Sequence, residues 1–76
     1  MPKYKDLDGD SGVVGFELGP DWIEVEFESG AAKFYRYTYA SAGIEHVNEM
    51  KQLAIMGEGL NAYINLRTKK LYASKR

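Results

Sequence analysis

The sequence predicts an α+β domain: a three-stranded antiparallel β-meander followed by two helices packed on one face, in the order β-β-β-α-α. Three observations predict it. Apolar and polar residues alternate with period two through Tyr39. Two short connections, each containing glycine, interrupt that alternation. From Ser41 onward the apolar period lengthens to three or four residues, the spacing of an amphipathic helix.

The first strand is VVGFELG, with Val14, Phe16 and Leu18 on one side and Val13, Gly15 and Glu17 on the other. Gly19-Pro20-Asp21 is a turn signal, because proline fixes φ and aspartate bonds to nearby backbone. WIEVEFE then places Ile23, Val25 and Phe27 inward and Trp22, Glu24, Glu26 and Glu28 toward water. Ser29-Gly30 breaks the run, and AAKFYRYTY forms the third strand. Beyond it, Ile44, Val47, Met50 and Leu53 or Ala54 mark the buried stripe of a helix with Ser41 as its N-cap. Gly57-Glu58-Gly59 ends that helix, and Leu60, Tyr63 and Ile64 share one face of a second, shorter one. Leu71 and Tyr72 are candidates to anchor the basic stretch that follows.

Seventy-six residues make one domain, near the lower size limit for a self-sufficient core. Without cysteine, disulfides and thiolate zinc sites are excluded, so stability rests on the 45% apolar and 13% aromatic content. Residues 1–12 read as an acidic N-terminal arm, 13–73 as the domain and 74–76 as a basic tail end. The opening MPKYKDLDGD lacks the apolar run of a signal peptide, and no later stretch is long enough to cross a bilayer; a cytoplasmic protein is expected.

The net charge of −1 conceals an asymmetry. Residues 1–30 carry eight acids against two lysines, whereas residues 31–76 carry eight basic residues against three glutamates. Arg67, Lys69, Lys70, Lys75 and Arg76 fall in the last eleven residues with no acid among them. Such a segment serves either as a phosphate contact or as a solubilising end.

The tyrosines of KFYRYTY pose the central question, and the parity of the preceding loop decides it. A two-residue loop, Ser29-Gly30, would set Ile23 opposite Arg36, drive the arginine into the core and turn Tyr35, Tyr37 and Tyr39 outward. A three-residue loop, Glu28-Ser29-Gly30, with Gly30 left-handed in a bulge, sets Ile23 opposite Tyr35 and keeps the tyrosines inside. Burying an unpaired guanidinium costs far more than leaving phenol hydroxyls at a rim, so the odd loop is preferred. Trp22 then lies opposite Arg36 on the outer face, within cation–π reach, and Glu24 and Glu26 stay in water. Trp22, Phe34 and Arg36 there suit base stacking beside a cation, and suit a protein partner equally.

Other constellations are weak. DLDGDSGVVGFE, residues 6–17, echoes a calcium loop through Asp6, Asp8, Asp10 and Glu17, but Ser11 stands where the turn glycine is needed. No metal or cofactor is expected. His46, the sole histidine, reads as a solvated helix residue, and Ser29, Ser41 and Ser74 lack a base-and-orienter pattern. GEG at 57–59 follows a helix rather than a strand and reads as a helix–helix turn. No enzyme and no small-molecule substrate are implied.

The chain resembles the KTSC domain family, small domains found at the C-terminus of some lysyl-tRNA synthetases and as stand-alone bacterial proteins. The resemblance spans residues 11–73 and rests on Tyr35-Arg36-Tyr37 after a strand and glycine turn, on GLNAYIN at 59–65 with Tyr63, and on the basic stretch with Tyr72. Thr38-Tyr39-Ala40-Ser41 stands where many members carry a valine-proline helix start. The resemblance implies the fold, and its synthetase context suggests RNA binding. The expectation is a non-enzymatic binding module, with RNA held by Arg36, Phe34, Trp22, Arg67, Lys69 and Lys70. The alternative is a protein-binding or homodimerising module using Trp22, Phe34 and Arg36.

Overall fold

A computed structural model describes residues 3–5, 12–28, 30 and 32–76. Three strands, β1 (Val13–Leu18), β2 (Trp22–Phe27) and β3 (Phe34–Thr38), form the antiparallel meander. Helices α1 (Tyr39–Ala42), α2 (Ile44–Met56) and α3 (Leu60–Tyr63) follow, and α3 continues as a π-helical turn (Ile64–Thr68). A two-residue strand, β4 (Ser74–Lys75), then pairs antiparallel with β3, so the sheet order is β1-β2-β3-β4. The expected α+β meander with helices after it is present, and residues 74 and 75 of the expected tail are its added strand. Among the described residues no helix is long and apolar enough to cross a membrane.

Loop parity holds, but the register is displaced by two residues. Ile23 faces Tyr37 and Val25 faces Tyr35, not Ile23 with Tyr35. On the β3 side the ladder closes two residues later than expected, with Phe27 N–H donating to Lys33 O at 2.7 Å, which leaves residues 28–32 as a five-residue connection. Gly30 has φ 121°, a region that side chains avoid. An odd loop of either length keeps the same faces inward, which is why Tyr37 is buried while Arg36 points out.

In β1 the sides of the two valines are exchanged. The ladder shifts between Val13 and Gly15, and this bulge turns Val13 and Phe16 both into the core and leaves Val14 exposed. Lys3 bridges to Gly15, and Tyr4 N–H bonds to Val14 O at 3.1 Å. Tyr4 is itself a core residue, and its hydroxyl accepts from Leu60 N–H at 3.2 Å. That bond satisfies a donor at the start of α3, where no side chain caps the helix. Asp6, Asp8, Asp10 and Ser11 of the calcium-like segment lie outside the described residues; Val13 and Glu17 belong to β1.

β3 ends one residue early because Thr38 starts a helix. Its hydroxyl accepts from Ser41 N–H at 3.0 Å, and Ser41 Oγ accepts from Thr38 N–H at 3.0 Å, a reciprocal capping box. Thr38 therefore caps α1, whereas α2, for which Ser41 was the expected N-cap, starts after Gly43 with no side-chain cap; Tyr39 leaves the inner sheet row to bond Asn48 Oδ1 through its hydroxyl at 3.0 Å. α2 buries Val47, Met50 and Ala54, but Ile44 at its start is exposed. Gly57 closes α2 in the left-handed conformation (φ 83°), donating to Leu53 O at 2.9 Å. Leu60, Ile64 and Thr68 face inward from the last helical segment, with Thr68 Oγ1 set 3.5 Å from Met50 Sδ.

Candidate functional site

The residues expected to act together fall on two separated surfaces. On the outer sheet face, Glu24 and Arg36 sit directly opposite in the β2–β3 ladder. Glu24 does not remain in water: it is only 4% exposed. Arg36 Nε bonds its Oε1 at 3.3 Å, and Arg76 Nη2 bonds its Oε2 at 3.0 Å. Each guanidinium also lies over a ring: Arg36 Cζ is 4.1 Å from the Trp22 centroid and Arg76 Cζ is 4.8 Å from that of Phe34. The Trp22–Arg36 contact thus forms diagonally, with Thr38 rather than Arg36 opposite Trp22. The result is a row reading Trp22, Arg36, Glu24, Arg76, Phe34, in which one buried carboxylate is shared between two cations.

This row explains why Glu24 is buried. The last residue returns across β3 through the bond of Arg76 N–H to Phe34 O at 2.8 Å, and its side chain covers Glu24. The cations of this face are engaged with a carboxylate, and Glu17 stands opposite Glu24 on the β1 side. Its charge is balanced rather than set out for a polyanion.

The second surface is a cavity of about 370 Å³ between the sheet and the π-helical turn. One wall carries Phe27, Tyr35, Tyr37 and Tyr72; the other carries Ile64, Asn65, Lys69 and Lys70. The rings support one another edge to face, with Phe27–Tyr35 and Tyr35–Tyr72 centroids both 5.3 Å apart. Lys75 Nζ lies 5.3 Å from the centroid of Tyr72. Burial, then the nearness of Tyr35 and Tyr72, raises the Tyr37 pKa well above its usual 10.0, so the phenol keeps its proton. Lys69 and Lys70 thereby meet the tyrosine row that loop parity turned inward. Arg67 is exposed on the turn itself and acts on Tyr63, whose pKa burial and Glu49 raise and Arg67 lowers.

His46 is not a free surface residue: its Nδ1 lies 2.7 Å from Tyr63 Oη, which ties α2 to α3. Among the described residues no group of three or more histidines or carboxylates could hold a metal. Sequence reasoning assigned Lys69 and Lys70 to phosphate contacts but missed Asn65 and Phe27 as their neighbours, and took Tyr72 only as an anchor. Nothing local in the chain signals that Tyr72 and Tyr35 stand together; it follows from β4 returning beside β3. No family model, curated protein or solved structure matches the chain.

Proposed function

We propose that this protein is a non-enzymatic binding module for single-stranded nucleic acid, RNA in particular, with the tyrosine cavity as its contact site. The observation that carries the reading is the convergence of Tyr35, Tyr37 and Tyr72 with Lys69 and Lys70 around one cavity. Aromatic faces accept bases of any sequence while ammonium groups track the backbone. The cavity volume of about 370 Å³ lies within the range of ordinary ligand sites. Arg67, exposed on the adjoining turn, extends the basic ridge. Arg36, Trp22 and Phe34 take no part in this contact, because Glu24 engages the arginine on the opposite side of the sheet. Kinship with the KTSC domains belongs to the same proposal and rests on Tyr35-Arg36-Tyr37 and residues 59–65 alone.

The test is a salt titration of binding to single-stranded RNA, for wild type and for Lys69→Glu with Lys70→Glu. Loss of two phosphate contacts flattens the slope of log K against log salt by about 1.4. No binding at low salt, or binding indifferent to the double substitution, refutes the reading.

The outer face favours a second reading as a protein-binding or self-association surface. The prearranged row of Trp22, Arg36, Arg76 and Phe34 supports it, since tryptophan and arginine concentrate in interface hot spots. Analytical ultracentrifugation of wild type and Trp22→Ala tests it: self-association is expected to weaken with the substitution. A wild type that stays strictly monomeric at high concentration rejects the homodimer form.

A further inference from the structure

The tyrosine hydroxyls of the cavity find no partner among the described residues, and this says what kind of group belongs there. Among the described residues, neither Tyr35, Tyr37 nor Tyr72 makes a side-chain hydrogen bond. Tyr37 is 1% exposed, yet no side-chain oxygen or nitrogen fully closed off from solvent lacks a partner among the described residues. Its hydroxyl therefore keeps contact with solvent through the cavity it lines. Buried hydroxyls are normally satisfied within the protein, so a phenol held this deep that no described protein group bonds is a donor that a ligand oxygen can engage.

The rest of the lining has the same sense. Lys69 and Lys70 bring ammonium donors, Asn65 brings an amide, and among the described residues no carboxylate lines the cavity. Because its raised pKa keeps Tyr37 protonated, its O–H is available as a donor throughout the physiological range. A cavity rich in donors and positive in charge takes an oxyanion. A phosphomonoester, with three terminal oxygens and a charge of about −1.5 to −2, offers an oxygen to each of three phenols and balances two ammoniums. An internal phosphodiester must leave in both directions along its chain. A terminal group has a single attachment and so reaches a hydroxyl as deep as that of Tyr37. At about 370 Å³ the cavity equals the liquid volume of about twelve waters, leaving room for an attached sugar beside the Phe27–Tyr35 ring pair.

We infer that the cavity is a receptor for a terminal phosphomonoester on a nucleoside, bound through the hydroxyls of Tyr35, Tyr37 and Tyr72 and the ammoniums of Lys69 and Lys70. This deepens, and rests on, the proposal that the cavity contacts nucleic acid. Two sources share the chemistry, the phosphorylated end of an RNA strand and a free nucleoside monophosphate.

The experiment measures binding of three heptauridylates, carrying a 5′-phosphate, a 3′-phosphate or neither, alongside free uridine 5′- and 3′-monophosphates. The proteins are wild type, Tyr37→Phe and Tyr72→Phe. A phosphorylated strand is expected to bind about tenfold more tightly than the unphosphorylated one. Tyr37→Phe, which keeps the ring, is expected to abolish that ratio; if it fails to fold, Tyr72→Phe decides. Three strands bound alike, or a preference surviving the substitution, overturns the inference while leaving the broader RNA reading in place. Monophosphate binding without strand binding supports the inference with the free nucleotide as ligand and removes the RNA reading. No binding of any probe overturns both.

Discussion

Glu24→Gln removes one negative charge from a position where two cations share it, and changes almost nothing else. The carboxylate is 5% exposed in its side chain, while Arg36 and Arg76 are 39% and 71% exposed. Charge-assisted hydrogen bonds shielded from water contribute about 1.5–3 kcal/mol, and exposed ion pairs about 0.2–1 kcal/mol. Arg36, half-shielded and held over Trp22, falls between these at about 1 kcal/mol; Arg76, mostly in water, contributes about 0.5 kcal/mol. The expected loss is then about 1.5 kcal/mol, because both guanidiniums recover hydration when released. For a chain of this size that lowers Tm by about 6–12 °C. Thermal unfolding followed by circular dichroism measures the loss, and a double-mutant cycle with Arg36→Gln isolates the coupling. If Glu24→Gln lies within about 0.3 kcal/mol of wild type, or Arg36→Gln costs the same in both backgrounds, the shared-carboxylate account fails.

Two further outcomes follow from the same geometry. A Cβ at Gly19 would overlap the indole of Trp22, so Gly19→Ala displaces the ring from Arg36. Trp22 is the only tryptophan, so a changed emission maximum reports the displacement directly, and an unchanged spectrum refutes it. Tyr37, with its pKa raised in the fold above the usual 10.0, binds its proton more tightly folded than unfolded. Its contribution is complete below pH 10 and declines as pH rises beyond that value. Denaturant titrations from pH 9 to 11 are expected to show this decline, and Tyr37→Phe to flatten it; an identical slope in the variant contradicts the assignment.

What could be read from the chain divides along physical lines. The faces of β2 and β3 were legible because side-chain alternation and loop parity both survive a two-residue slip, so Tyr37 inside and Arg36 outside needed no knowledge of loop length. The pairing partner was not, since three- and five-residue loops satisfy the same parity. Val13 and Val14 were exchanged because a bulge inserts a residue without any local mark beyond Gly15. Tyr39 continued the strand's alternation perfectly, and only the Thr38–Ser41 exchange of hydrogen bonds, a tertiary-independent but subtle signal, ends the strand before it. Glu24 was misjudged for a different reason: its burial depends on Arg76, fifty-two residues later, and no window along the chain contains both. The cavity shares that character. Lys69 and Lys70 were visible as charge and the tyrosines as pattern, but their meeting is a property of the returning chain.

The two flanks of the sheet have a consequence for how copies of this protein meet. An uncovered strand edge is a template for another chain and invites fibrillar association. Here one flank carries the isolated Lys3–Gly15 bridge, and the other ends in a strand only two residues long, Ser74–Lys75, with a lysine upon it. Short, charged margins offer little ladder for a neighbour to extend. A row as rich in tyrosine and phenylalanine as that of β3 is thereby kept in the interior of the sheet, where its backbone is already spoken for on both sides.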